Sequence, residues 1–125
     1  RALKLKPSCW QAWHNVGLVK KHQSKFTESV QALESALALN PANVDSLNTL
    51  GICYGRMGNY DKAEESYLRA LQIDPGFVFV NFNLAKLYFV TGDKVKARDY
   101  FSRVLSLNSA YRPRVNKYML MMEAG

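Results

Sequence analysis

Cysteine, histidine and glycine are scarce in this chain, and each scarcity removes a class of function. Two cysteines and two histidines occur in 125 residues. Cys9 and Cys53 fit neither a CxxC nor a Cys/His ligand spacing, so they read as reduced thiols rather than as a disulfide framework. His14 and His22 stand eight residues apart with no carboxylate between them, unlike the one-turn histidine pair of a zinc motif, and no metal is expected. Among the seven glycines none builds a phosphate-cradling loop; Gly55, Gly58 and Gly92 sit at turns or helix ends, and no serine stands in G-x-S-x-G. Nucleophile, base and oxyanion donors are not grouped anywhere along the chain, so neither catalysis nor a cofactor is expected. No apolar run approaches the roughly 18 residues of a membrane-spanning helix, and no basic, apolar leader opens the chain. No membrane partner is expected.

What is present is an ordinary globular composition, 48% hydrophobic and 22% charged, with an uneven net charge of +7. Residues 1–25 carry six Lys or Arg and no acid, residues 26–75 are slightly acidic, and residues 94–125 are basic again. Basic flanks of this kind suit nucleic acid, an acidic partner or simply a solvated surface.

The stretch 43–76 sets the plan, because its landmarks recur at one offset. Pro7, Pro41 and Pro75 are 34 residues apart, and the same step links Gly17 to Gly51 to Ala85 and Leu3 to Leu37 to Leu71 to Leu105. Within each period the apolar residues fall at helical spacing, as in Trp13, Val16, Gly17 and Val19, then Phe26, Val30, Leu33, Ala36 and Leu37. Ser8 is placed to cap the first helix. Asn40-Pro41 and Asp74-Pro75 end second helices, because proline disfavours helical backbone in the residue before it. Met57-Gly58-Asn59 and Thr91-Gly92-Asp93 turn the chain between helices. Glycine inside a helix costs about 1 kcal/mol, so Gly17 and Gly51 imply close approach of the two helices of a hairpin. Large residues such as Trp13, Leu50, Tyr54, Tyr67 and Tyr88 fill the remaining volume.

Trp13-x2-Val16-Gly17-x2-Lys20, Leu47-x2-Leu50-Gly51-x2-Tyr54 and Asn81-x2-Leu84-Ala85-x2-Tyr88, followed by Ser29-x3-Leu33, Ala63-x3-Tyr67 and Ala97-x3-Phe101, resemble the tetratricopeptide repeat pattern. Lys20, Ser29, Asn81 and Ser109 depart from it. The resemblance implies an all-α fold, a right-handed superhelical solenoid of antiparallel helix hairpins in 34-residue repeats. The expected parts are 1–9, the tail of a preceding repeat; 10–43, 44–77 and 78–111, three repeats; and 112–125, a capping helix or the start of a fourth repeat. A chain that opens on Arg1 with the closing phrase of a repeat is expected to be a piece of a longer array.

The first helices of such a stack line a concave groove. By helical phase its residues are Gln11, His14, Asn15, Leu18 and His22; then Asp45, Asn48, Thr49, Ile52 and Arg56; then Phe79, Phe82, Asn83, Lys86, Phe89 and Val90. The third set places four apolar residues, three of them aromatic, on a face expected to meet water, which marks either an interaction site or a surface covered by the last helix or another repeat. Asn15, Thr49 and Asn83 share one repeat position. In similar repeat proteins an asparagine there bonds the backbone of an extended peptide, for which its paired donor and acceptor are suited.

The expected function is therefore a non-catalytic protein-interaction scaffold holding a peptide or helical segment. Phe79, Phe82 and Phe89 would anchor it, Asn15, Asn48 and Asn83 would bond its backbone, and Lys86 and Arg56 would set charge preference. A related subfamily grips the carboxylate of chaperone tails with lysine, asparagine and arginine, but the corresponding positions hold His14, Leu18, Thr49, Phe79 and Asn83, so a chaperone C-terminal tail is not expected. Nucleic-acid binding through Lys20, Lys21 and Lys25 or through Arg112, Arg114 and Lys117 ranks behind, because the aromatic cluster lies away from these stretches. Docking to a larger enzyme or assembly is the remaining alternative. Self-association is expected through the N-terminal edge near Trp10 and Trp13, or through Tyr118, Leu120, Met121 and Met122.

Overall fold

A computed structural model describes residues 9–124. They form α1 (Trp10–His22), α2 (Phe26–Leu39), α3 (Val44–Arg56), α4 (Tyr60–Ile73), α5 (Val78–Thr91), α6 (Lys94–Leu107), a 3-10 turn (Ser109–Tyr111) and α7 (Arg112–Ala124). The described residues divide into two compact units, unit 1 ending at Ile73 and unit 2 beginning at Asp74. Ser8, expected as a cap, lies outside the described residues; Cys9 precedes α1 without a side-chain cap bond.

The helix boundaries have local causes. The Asn43 side chain accepts from the amides of Asp45 and Ser46 and opens α3, and Asp93 does the same for α6 through the Lys96 amide. Gly58 and Gly92 take positive φ in the hairpin turns, at +80° and +90°. At the same repeat position in the first hairpin stands Ser24, forced to φ +62°.

In unit 1, α1 pairs with α2 and α3 with α4, and α2 also packs on α3. The helical glycines are contact points. A Cβ on Gly17 would lie 2.7 Å from the Leu33 side chain, and one on Gly51 would lie 2.5 Å from the Tyr67 ring. Ala36, Ala63 and Ala70 are fully buried small residues on second helices. Ser29, which replaces the repeat's alanine, is reconciled with burial by donating to the Gly17 carbonyl at 2.6 Å and accepting from the Cys53 thiol at 3.2 Å. Burial pushes the Cys53 thiol above its ordinary pKa, in keeping with a structural, reduced group.

In unit 2, α5 and α6 form a hairpin whose interior holds Leu84, Ala85, Phe101 and Val104, and α7 packs on both helices. Asn81 replaces a large apolar residue with its amide half satisfied: Nδ2 donates to the Pro75 carbonyl at 3.1 Å and the Phe77 carbonyl at 3.0 Å, while the buried Oδ1 accepts no hydrogen bond among the described residues. Asn108, before the position where the earlier repeats carry proline, opens the 3-10 turn by accepting from the Ala110 amide.

Candidate functional site

In unit 1 the groove positions lie on α1 and α3, which touch each other. They are pinned together where His14 Nδ1 meets Ser46 Oγ at 2.8 Å, with the Trp10 ring edge-on to His14. Partial burial holds the His14 imidazole below its ordinary pKa; Asp45 opposes this and Lys21 adds to it. The Nδ1 of a neutral ring can accept from the Ser46 hydroxyl or donate to it, according to the tautomer. Around this pin, Gln11 and Asn15 are exposed, and Leu18, Asn48 and Ile52 are half-buried. Amide groups thus stand beside aliphatic side chains on one two-helix surface. Arg56 is exposed at the far end of α3, its guanidinium 5.8 Å from the centre of the Phe26 ring, while His22 and Asp45 are exposed. Thr49 corrects the expectation for its position. It is buried, and its hydroxyl donates to the Asp45 carbonyl one turn back at 3.0 Å, so it cannot mimic the exposed amide of Asn15.

In unit 2 the structure decides between the two expectations for the aromatic face in favour of cover by the last helix, which corrects the anchoring role expected of Phe82. Phe82 is only 9% exposed, ringed edge-on by Phe101 at 6.0 Å, Tyr111 at 5.3 Å and Tyr118 at 6.2 Å. Phe89 is half-buried, 5.1 Å from Tyr118, which itself stacks on Phe101 at 5.2 Å. The physical reason is α7: a large apolar face on α5 is withdrawn from water by the helix that follows it. Phe79 and Val90 remain exposed, Asn83 and Lys86 are half-buried, and the Lys86 ammonium stands 4.9 Å from the Phe82 ring centre. Of the apolar set expected to associate, Met122 is buried and Tyr118 half-buried, whereas Leu120 and Met121 face outward. Trp10 and Trp13 are both half-buried.

Sequence reasoning missed Ser46, which holds His14, Phe26, which holds Arg56, and Tyr111, which closes the aromatic cluster together with Tyr118, a residue expected only in a self-association face. The last two had a signal. Tyr111 and Tyr118 fall one repeat length after Phe77 and Leu84, so they occupy positions that are apolar in the preceding repeat.

Profiles described as Tetratricopeptide repeat match residues 11–43, 44–77 and 80–109. The BBSome complex member BBS4 of Xenopus tropicalis is 29% identical over 112 residues, covering 90% of this chain and 22% of the relative. The uncharacterized protein ycf37 of Pyropia yezoensis is 35% identical over 111 residues, 84% of this chain and 62% of that protein. The chain thus spans less than two thirds of the length of either. Among solved structures, MamA superposes with a TM-score of 0.81 at 27% identity, over 89% of this chain and 65% of MamA. The first TPR of Spaghetti (RPAP3), solved bound to an HSP90 peptide, superposes with a TM-score of 0.84 over 95% of this chain and 97% of its own, and at 15% identity it shares the fold alone.

Proposed function

Because this chain belongs to the tetratricopeptide repeat family, we propose that it acts as a non-catalytic scaffold that holds an extended protein segment on the α1/α3 face of unit 1. One observation carries the reading. Gln11 and Asn15 are exposed beside half-buried Asn48, Leu18 and Ile52 on two helices pinned by the His14–Ser46 contact. Amides offer a donor and an acceptor to a peptide backbone in any sequence, and the aliphatic pair offers shallow apolar anchorage. Asn83, Lys86 and the exposed Phe79 make a comparable set on unit 2 taken by itself. Related structures support the reading in kind: the RPAP3 repeat domain, of the same fold, holds a peptide.

The test is selection of peptides from an unbiased display library against the whole chain, followed by titration of the selected peptides with variants. Asn15→Ala and Leu18→Ala are each expected to weaken binding about fivefold, the worth of one hydrogen bond or a small apolar contact. Unchanged affinity in both, with loss on Gln31→Ala or Ser35→Ala of α2, would show that peptides use another face.

A further inference from the structure

We propose that the outward face of α7 is a second docking surface, built for an acidic amphipathic helix of a protein partner and separate from the α1/α3 face. One side of α7 is committed inward, with Val115 and Met122 buried and Tyr118 stacked on Phe101. The other side carries Arg114 and Lys117, both exposed, and one turn further on Leu120 and Met121, 66% and 46% exposed, while Arg112, also exposed, stands at the start of the helix on its flank. Arg114, Lys117 and Met121 follow three- and four-residue spacing and so form one stripe, with Leu120 beside it. The cations are crowded into the first half of the helix, and the acid of α7, Glu123, stands near its far end. No acid occupies its first turn, and among the described residues no ion pair reaches any of the three cations. Positive charge early in a helix opposes the macrodipole, so the fold gains nothing from this placement. An anionic partner would gain from it. The Arg114 guanidinium is held 4.4 Å from the centre of the Tyr111 ring, which presets its position before any partner arrives.

The shape of α7 also argues about the occupant. At the position of Gly17, Gly51 and Ala85, where hairpin helices approach closely, α7 carries Met119. A Cβ alone on Gly51 would come within 2.5 Å of the Tyr67 ring. Met119 is instead a long, half-buried side chain on the flank of α7, which leaves the stripe of Arg114, Lys117 and Met121 as the part of the helix open to a partner. The basic half calls for carboxylates, and Leu120 with Met121 calls for apolar residues about one turn away. Single-stranded nucleic acid fits less well, since the adjacent ring, Tyr111, is buried and offers no stacking platform. An anionic membrane fits less well because α7 turns its broad apolar side inward and leaves two apolar side chains outside.

Fluorescence anisotropy of the whole chain with a panel of stapled helical peptides tests this, each peptide combining a glutamate cluster with a leucine pair, in both chain orders and several spacings. At least one is expected to bind with a strong dependence on salt. Charge reversal of all three cations (Arg112→Glu, Arg114→Glu, Lys117→Glu) should weaken it at least about tenfold, and Leu120→Ser with Met121→Ser about fivefold. Arg112→Lys with Lys117→Arg should keep it, as should Asn15→Ala, which separates this surface from the α1/α3 face. Circular dichroism checks that the reversed variant folds; if it does not, the exposed Leu120/Met121 variant decides. The proposal is overturned if no peptide binds below about 100 µM, if neither variant weakens binding, or if oligo-dT or phosphatidylserine vesicles bind more tightly than every peptide and displace it.

Discussion

Where unit 1 presents His14 and Asn48 at one repeat position, unit 2 presents Phe82, and where unit 1 has Leu18 and Ile52, unit 2 has Lys86. The first set remains half-buried on α1 and α3, while Phe82 is sealed beneath α7. Helical phase assigns all of these residues to one kind of face. It does not say whether another helix will cover that face. The difference teaches that a repeat position carries a direction, and that its exposure depends on what the chain does next.

The largest break in this comparison is expected from Phe82→Ala. As a covered core residue it should destabilise unit 2 by about 3–5 kcal/mol, whereas His14→Ala at the equivalent position should cost about 1 kcal/mol, the worth of its bond to Ser46. Urea denaturation followed by circular dichroism measures both, and equal costs would mean that α7 does not seal the ring. Next in size is Gly51→Ala, in which the new methyl would press on the Tyr67 ring and destabilise by about 1–3 kcal/mol. A neutral effect would show that the hairpins of unit 1 are looser than the fully buried interior of α5 and α6.

Ser24→Gly should act in the opposite sense. Gly58 and Gly92 take the left-handed backbone freely, whereas Ser24 does so at a steric cost, so the substitution is expected to stabilise unit 1 by about 0.5–1 kcal/mol in the same measurement. No gain would mean that neighbouring contacts hold the serine turn as well as glycine holds the other two.

The smallest effect concerns pH. Folding lowers the His14 pKa from its ordinary 6.5, so the unfolded chain binds the proton more readily and stability contributed by the neutral ring is full above that value. It is lost as pH falls through 6.5 toward the lower folded value and levels off beneath it. A nuclear magnetic resonance titration should place the His14 midpoint below 6.5, and His14→Gln should remove that share of the slope in urea midpoint against pH. A midpoint at or above 6.5 would remove the pin between α1 and α3 as a neutral contact.

Amino-acid order by itself determined the hairpins. Prolines and glycines at a 34-residue step, small residues facing each other and apolar residues at helical spacing act over a few turns, so they can be read along the chain. The helix that begins at Phe26 and the turn at Gly58 need no distant partner to be foreseen. Tertiary structure alone decided which candidate residues meet water. Thr49 was withdrawn by the packing around α3, and its hydroxyl, cut off from water, donates to the carbonyl one turn back. Phe82 was withdrawn by Tyr118, 36 residues away, because α7 folds back on α5 and α6. Covering is a property of surfaces brought together by packing, and the periodicity of one helix carries no information about the helix that will be laid across it.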